Sequence, residues 1–275
     1  MQIRNVAPSL LALSLAVAPA IAVADDWTGG YLGLHAGAVA DPDDNDDTIR
    51  FDTGLDGGFG DTVSTAAGAN AFSPGFCDGI AQDRTPAGGC SSNHGGGDYG
   101  IRAGYDWQSG SIVYGVLFEY AQVESRDAVS AFSTTPARYT IVRKLDDTLA
   151  VRGRIGLVFG DGNNLVYATG GWTRANVDNS FDTSNTVNTF VDRGGGEADG
   201  WQAGLGYERR FGERWTVGVE YLMSRLDDDD YLVRAQGPAP ATNPFILQNP
   251  DGTDFLRSDD DIDLDSLRLT VNWRF

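Results

Sequence analysis

Histidine, the residue type that most often carries enzymatic proton transfer, is scarce in this sequence. Its 275 residues include two histidines, His35 and His94. Neither a G-x-S-x-G elbow nor an H-E-x-x-H zinc motif is present. His94 lies in "SSNHGGGD", where a lone loop histidine is best interpreted as a solvated side chain. We therefore expect no catalytic residues, no resident metal site and no cofactor.

Cysteine is equally scarce, and the two that occur lie close together. Cys77 and Cys90 flank the segment "CDGIAQDRTPAGGC", which contains glycine and proline. The C-x-x-C spacing of redox and zinc sites is absent. In an exported chain, such a pair favours a disulfide that closes a local loop.

Positive charge is in short supply as well. The chain has 20 Lys plus Arg against 39 Asp plus Glu, a formal net charge of −19. An acidic surface of this kind repels phosphate backbones, so we expect no nucleic-acid partner.

Long apolar runs are missing after the first 24 residues, which excludes a membrane-spanning helix there. The first residues carry Arg4, then the apolar run "LLALSLAVA", then the small residues Ala22, Val23 and Ala24. This order is typical of a secretory signal peptide. We predict a signal peptide at residues 1–24 and a single domain at residues 25–275.

Glycine is abundant, at 36 residues, and eight segments of the chain alternate between apolar and polar residues. A period of two is the signature of a β-strand. Most of the segments span about ten to twelve residues, which suits a tilted strand that crosses a hydrocarbon layer. They are "WTGGYLGLHAGA", "DYGIRAGYDW", "IVYGVLFEYAQV", "DTLAVRGRIGLVF", "NLVYATGGWTRANV", "GWQAGLGYERRF", "WTVGVEYLMSRL" and "SLRLTVNWRF".

The connections between these segments alternate strictly between short and long. "QSGS", "GDGN" and "GER" are short enough for tight hairpins, whereas residues 39–97, 124–145, 176–198 and 227–262 form long connections. In an up-and-down meander all the long connections lie at one end. Short turns at one end and long loops at the other are typical of bacterial outer-membrane barrels.

The faces of the strands agree with a barrel whose outside meets lipid. In "IVYGVLFEYAQV" one face carries Tyr114, Phe118 and Tyr120, and the other carries Gly115 and Glu119. The six tryptophans gather near strand ends, which indicates girdles at the membrane interfaces. The fold class is therefore all-β, an eight-stranded antiparallel up-and-down transmembrane β-barrel with long external loops.

These segments resemble the small eight-stranded outer-membrane barrels of Gram-negative bacteria, in particular the alphaproteobacterial surface-antigen branch, and more distantly the membrane domain of outer membrane protein A. The resemblance rests on "WTGGYLGLHAG", "VRGRIGLVF", "GWQAGLGYERRF", "WTVGVEYL" and the terminal "VNWRF". It implies an outer-membrane location among lipids and lipopolysaccharide. It also implies that the barrel-assembly machinery reads the terminal aromatic residue, which places that signal on Phe275, with Trp273 two residues before it. The family further implies surface antigenicity and, in some relatives, adhesion or haem binding.

The polar faces of the strands place nine charged side chains inside the barrel. An eight-stranded barrel is just wide enough for side chains to fill. An unpaired charge away from water costs several kcal/mol, so we expect these groups to form pairs that plug the lumen. They are Arg102, Asp106, Glu119, Arg152, Arg154, Glu208, Glu220, Arg268 and Arg274.

Aspartate runs fill the first and last long connections. Residues 39–97 contain ten Asp and two Arg, and residues 227–262 contain nine Asp and two Arg. In "DPDDNDDTIRFD" the oxygen-bearing residues Asp41, Asp43, Asn45 and Asp52 partly imitate a calcium loop, but Asp46 replaces the required glycine. Diffuse attraction for divalent cations, or simple solvation, is favoured over a dedicated calcium site.

The sequence thus predicts an outer-membrane barrel with a structural and surface-presenting role, whose external loops are available for cation, envelope or host contacts. The alternatives that stay open are a narrow porin-like channel for ions or small solutes and, less favoured, a lipid-modifying outer-membrane enzyme.

Overall fold

The computed structural model describes residues 26–42, 47–228, 231–259 and 261–275. The predicted signal peptide, residues 1–24, lies outside these ranges. Within them no helix is long and apolar enough to cross a membrane. One turn of 3-10 helix, Pro86–Gly88, occurs in the described ranges, which are otherwise built from strands and loops.

Fifteen strands follow one another along the described chain. They are β1 (Gly29–Val39), β2 (Ile49–Asp52), β3 (Gly75–Asp78), β4 (Ile80–Ala81), β5 (Cys90–Ser91), β6 (His94–Ser109), β7 (Ile112–Ser133), β8 (Ala137–Phe159), β9 (Asn164–Thr183), β10 (Thr189–Arg193), β11 (Glu197–Phe211), β12 (Trp215–Asp227), β13 (Leu232–Gln236), β14 (Thr253–Arg257) and β15 (Asp261–Arg274).

Eight of these strands form a closed antiparallel ring in the order β1, β6, β7, β8, β9, β11, β12, β15 and back to β1. The predicted fold class and the eight predicted segments are confirmed, since each segment lies on one strand of the ring. The ring closes where β1 pairs with β15, with Leu32 opposite Trp273. Closure removes both sheet edges, which a sheet in hydrocarbon requires.

The short connections are the tight turns that the sequence predicts. Gly110 and Gly212 adopt positive φ angles of 62° and 66° in the turns after β6 and β11. Glycine occupies such left-handed positions without the steric cost of a Cβ atom. These turns gather at one end of the barrel.

In two of the long connections the barrel strands themselves continue past the predicted boundaries. β7 and β8 run to Ser133 and from Ala137, so most of residues 124–145 is a hairpin that extends the barrel wall. β9 continues to Thr183 beside β8. The bulges between Gln122 and Ser125 and between Leu145 and Thr148 mark where the extension begins.

The remaining external residues fold into a cap on this extension. We define the external cap as the described residues of 47–92, 184–196 and 231–259. It contains a second sheet of four strands in the order β10, β13, β14, β2. The cap encloses its own apolar core, in which Phe51 lies 4.4 Å from Phe72 and 5.0 Å from Phe255 between ring centroids. Tyr139 from β8 joins the same core, so the cap packs onto the extended wall.

Five tryptophans face outward in two levels. Trp215 pairs with Trp273 near the short turns, and Trp172 pairs with Trp201 near the cap. Trp201 is opposite Arg225 on β12, ten residues beyond Trp215. Ten residues of a strand at the usual tilt rise roughly 25 Å, the height of the apolar band of such barrels.

The sixth tryptophan, Trp27, does not belong to these girdles. It is 0 % exposed and lies inside the barrel mouth, where its indole N–H donates to the Gly162 carbonyl at 3.0 Å. The predicted girdle position is therefore wrong for Trp27. Trp27 precedes β1, so the strand alternation does not fix its direction.

Candidate functional site

The barrel interior holds two linked clusters of charged side chains, and the first lies nearer the short turns. Arg154 from β8 donates to Asp106 on β6 and, at 2.9 Å, to Glu208 on β11. Arg274 on the last strand also donates to Asp106, at 2.8 Å. Each cation thus connects strands that are not neighbours in the sheet, and the cluster braces the barrel across its lumen.

Two carboxylates in the second cluster each bind several arginines. Glu119 accepts from Arg152 at 2.8 Å and from Arg268 at 2.7 Å. Glu220 accepts from Arg152 at 3.2 Å and from Arg102 at 3.1 Å. Because every cation here contacts carboxylates, the desolvation cost of these buried charges is offset by pairing.

Tyrosine rings fill the space between the charges because glycines lie opposite them. A Cβ atom on Gly104 would come within 2.4 Å of the Tyr31 ring, and one on Gly206 within 2.2 Å of the Tyr167 ring. Arg154 stacks over both rings, with centroid distances of 4.8 and 5.1 Å. Gly104 and Gly206 are thus the positions where a tyrosine ring crosses the lumen.

Apolar layers lie at both ends of the charged region. At the end with the short turns, Trp27 packs with Val113, Leu165 and Tyr167. At the external end, ten buried apolar residues from seven of the eight ring strands form a layer above Glu119. They are Val39, Ala121, Val123, Leu145, Ala175, Val177, Ala198, Leu226, Ile262 and Leu264.

Above that layer a polar cluster fastens the cap to the wall. Asp127 on β7 accepts from Arg143 on β8 and from Arg257 on β14, both at 2.7 Å. Asp47 pairs with the same Arg257. Burial alone would raise the pKa of Asp127, but Arg257 and Arg143 outweigh burial and hold that pKa below its ordinary value.

A cavity of about 90 Å³ lies beside this cluster and is lined in part by Asp127, Arg143 and Asp259. Pockets that bury small organic ligands are several times larger, roughly 300–1,000 Å³. The cavity therefore fits water or an ion rather than an organic ligand. Within the described residues, no group of three or more His, Cys, Asp or Glu side chains is placed to hold a metal ion.

All nine charged residues predicted for the lumen are buried there, with at most 5 % of any of them exposed. Asp98 and His35 also lie in the lumen but are not among the predicted residues. They pair at 3.1 Å, and Asp98 also accepts a hydrogen bond from Arg268 at 2.5 Å. The alternation of the strands was sufficient to predict both positions. Asp98 has the same parity as Arg102 on β6, and His35 the same parity as Tyr31 on β1.

The other predicted positions lie as follows. Cys77 and Cys90 form a disulfide, with 6.5 Å between their Cα atoms. The Phe275 N–H donates to the Gly30 carbonyl at 3.0 Å, and the Phe275 ring lies 5.3 Å from that of Trp273 on the outer surface.

Asp43, Asn45 and Asp46 of the calcium-like spacing lie outside the described residues. Of its other members, Asp41 accepts from the Gly95 N–H and Asp52 from the Gly57 N–H.

A closed eight-stranded ring with an apolar outer band, two tryptophan levels and paired charges inside defines a transmembrane β-barrel. The chain belongs to the outer membrane protein beta-barrel domain family, whose model matches residues 9–275. The protein is accordingly an outer-membrane β-barrel protein.

Two curated relatives are both called 31 kDa outer-membrane immunogenic protein, from Brucella melitensis biotype 1 and Brucella suis biovar 1. Each is 25% identical over 216 residues, which cover 76% of this chain and 76% of the relative. Among solved structures, an outer membrane channel from Pseudomonas putida F1 aligns with 93% of this chain and 100% of its own, at 8% identity and a TM-score of 0.25. A score of that size supports no argument about function.

Proposed function

We propose that this protein is a closed barrel that anchors and presents the external cap at the cell surface. It conducts no solute and catalyses no reaction. The observation that carries the proposal is the cap itself, a folded unit with its own aromatic core, seated on strands that extend beyond the membrane band. A channel has no need of such a unit, whereas a surface-presenting protein does.

The interior supports the same function. Charges that contact one another across the lumen leave no path for ions of the kind that wide, water-filled barrels provide. Trp27 at one end and the apolar layer around Leu226 at the other add barriers to water. The narrow channel is the alternative that this proposal rejects.

Conductance of the refolded full chain in planar bilayers tests the proposal. We expect an electrically silent membrane at neutral pH. A double variant, Trp27→Ala with Leu226→Ala, removes one apolar barrier at each end of the lumen. A higher baseline current for this variant than for the unmodified protein shows that the protein inserts into the bilayer. Large, steady, ion-selective openings of the unmodified protein would refute the closed barrel and favour the channel.

Three partners complete the proposal. The apolar outer face contacts the lipids of the outer membrane. The terminal Trp273 and Phe275 serve as the signal for the barrel-assembly machinery. The acidic cap attracts divalent cations without a dedicated site, because its aspartates repel one another and a mobile cation relieves that repulsion. Surface antigenicity fits the name of the Brucella relatives, outer-membrane immunogenic protein.

A further inference from the structure

The side chains of one histidine, one arginine and one lysine form a row on the outer surface of β6, β7 and β8. The strand register places His94 opposite Arg126 and Arg126 opposite Lys144. All three side chains are exposed, and residues paired in register on adjacent strands project from the same face. The row is cationic in a chain whose formal net charge is −19.

Among the described residues, none of these three side chains has a hydrogen bond or an ion pair. The nearest acidic neighbours along the same strands, Glu124 and Asp146, form no ion pair with them. Like charges directly opposite on a sheet are destabilising. The row therefore costs stability unless an anion outside the protein lies against it.

Elsewhere on the outer wall near the cap, arginines have partners. Arg174 is bidentate to Asp199 at 2.8 Å for both bonds, and Arg225 is bidentate to Asp263 at 2.7 and 2.8 Å. Among the described residues of the outer wall near the cap, the cations without a carboxylate partner thus lie in one sector, at β6 to β8.

The height of the row indicates which anion it meets. On β7 the last lipid-facing aromatic residue is Tyr120, and Arg126 follows six residues later. Six residues of a tilted strand rise roughly 15 Å, which is above the hydrocarbon and level with the sugars and phosphates of a glycolipid headgroup.

We propose that His94, Arg126 and Lys144 form a binding site for the phosphorylated headgroup of lipopolysaccharide in the outer leaflet. Arg126 and Lys144 supply the permanent charges, and His94 donates a hydrogen bond at the end of the row. The site fixes one sector of the barrel against the lipid, and it orients the external cap relative to the surrounding glycolipid. The inference rests on the outer-membrane location and is independent of whether the lumen conducts.

The test is binding of deep-rough lipopolysaccharide to the full chain refolded in an uncharged detergent. Each basic residue near an anionic surface contributes about 1 kcal/mol, so the double variant Arg126→Gln with Lys144→Gln should bind about 10- to 30-fold more weakly. The matched control is Arg174→Gln with Arg225→Gln, which removes two cations that already have carboxylate partners. We expect the control to change affinity less than twofold.

Lys144 is the single lysine of the chain, which provides a second readout. Labelling of its amine, located by peptide mapping, should slow when lipopolysaccharide is added and stay fast when the same lipid has been chemically dephosphorylated. Inorganic phosphate at millimolar concentration should not protect the amine. Protection by inorganic phosphate equal to that by the lipid would replace the lipid site with a free-anion site.

Folding is monitored through the heat-dependent shift of gel mobility. Without lipid, Lys144→Gln should be at least as heat-stable as the unmodified protein because a like-charge contact is removed. With lipopolysaccharide, the unmodified protein should be the more stable of the two. Equal lipid affinity of the Arg126/Lys144 double variant and the unmodified protein would overturn the proposal, as would equal losses in the double variant and its control.

Discussion

Single charged side chains in the lumen connect several strands of the barrel. Arg154 binds Asp106 and Glu208, which come from two other strands, so one guanidinium fixes three strands at once. Removing it would leave two carboxylates buried with fewer cations. Breaking a buried pair by removal of one partner is far more costly than breaking a pair at the surface.

Arg154→Ala should lower the temperature at which the folded form is lost in detergent, measured by gel mobility after stepwise heating. A loss of about 3–5 kcal/mol is typical for the removal of one partner of a buried pair. The matched control, Arg225→Ala, removes one partner of the exposed pair with Asp263 and should shift the temperature little. Equal shifts in the two variants would mean that the lumen pairs do not brace the barrel.

The pH dependence of the cap should follow Asp127. Its pKa is lower in the folded protein than in the unfolded chain, where it is about 3.9. Its stabilising contribution is therefore complete above that unfolded pKa and is lost as the pH falls through the lower folded pKa. Hydrogen exchange of the cap amides should accelerate relative to the barrel amides below about pH 4.

Asp127→Asn is the matching variant for that experiment. It should weaken cap protection at pH 7 and flatten the pH dependence below pH 4, since the amide cannot ionise. If the variant and the unmodified protein show the same acid profile, Asp127 does not control the cap.

At the scale of single elements, strand length separates the membrane-crossing part of the molecule from the part that carries the cap. β12 and β15 have 13 and 14 residues, whereas β7 and β8 have 22 and 23. The additional residues of β7 and β8 exceed what a membrane crossing requires. They form the wall against which Tyr139 and the cap core pack.

The last strand has the most exacting role of any element because it closes the ring against β1. Deleting Phe275 should prevent assembly, leaving unfolded chain in the periplasm, because the edge-closing strand loses its terminal aromatic residue and the hydrogen bond to Gly30. Fractionation and the heat-shift assay measure this outcome. Phe275→Tyr, which keeps the ring, serves as the control and should assemble. Normal insertion of the truncated chain would remove the assembly role from this position.

The two ends of the molecule differ: tight turns lie at one end and the folded cap lies at the other. Outer-membrane barrels place short turns in the periplasm and long connections outside. We therefore expect the aspartate-rich first and last connections to lie at the cell exterior. The proposed surface-presenting role rests on this asymmetry.

Epitope tags test that orientation. Tags at the exposed positions Pro136 and Pro240 should bind antibody on intact cells, and tags at Gly110 and Gly212 should bind only after the outer membrane is opened. Antibody access to the second pair on intact cells would reverse the orientation. Asn185 is a poor insertion site, because its amide donates to the Tyr139 hydroxyl at 3.0 Å inside the cap.

The sequence by itself determined the barrel strands, their inner and outer faces and the nine charged residues of the lumen. The reason is local: a period of two alone places alternate residues on opposite faces, and lipid outside forces the charges inward. The pairing of Cys77 with Cys90 was also predictable, since only two cysteines occur. Strand alternation also places Asp98 on the inner face of β6, although Asp98 was not among the predicted residues.

Only the tertiary structure decided the cap, the direction of Trp27 and the row of cations. Phe51 and Phe72 come from the first long connection and Phe255 comes from the last. Neither connection has a period, and the contact of Phe51 with Phe255 exists only after the barrel has brought the two connections together. Bulges shift the register between the membrane part of β7 and Arg126, so strand alternation could not place Arg126 opposite Lys144. Register across a bulge is set by the pairing of whole strands, which no single stretch of sequence records.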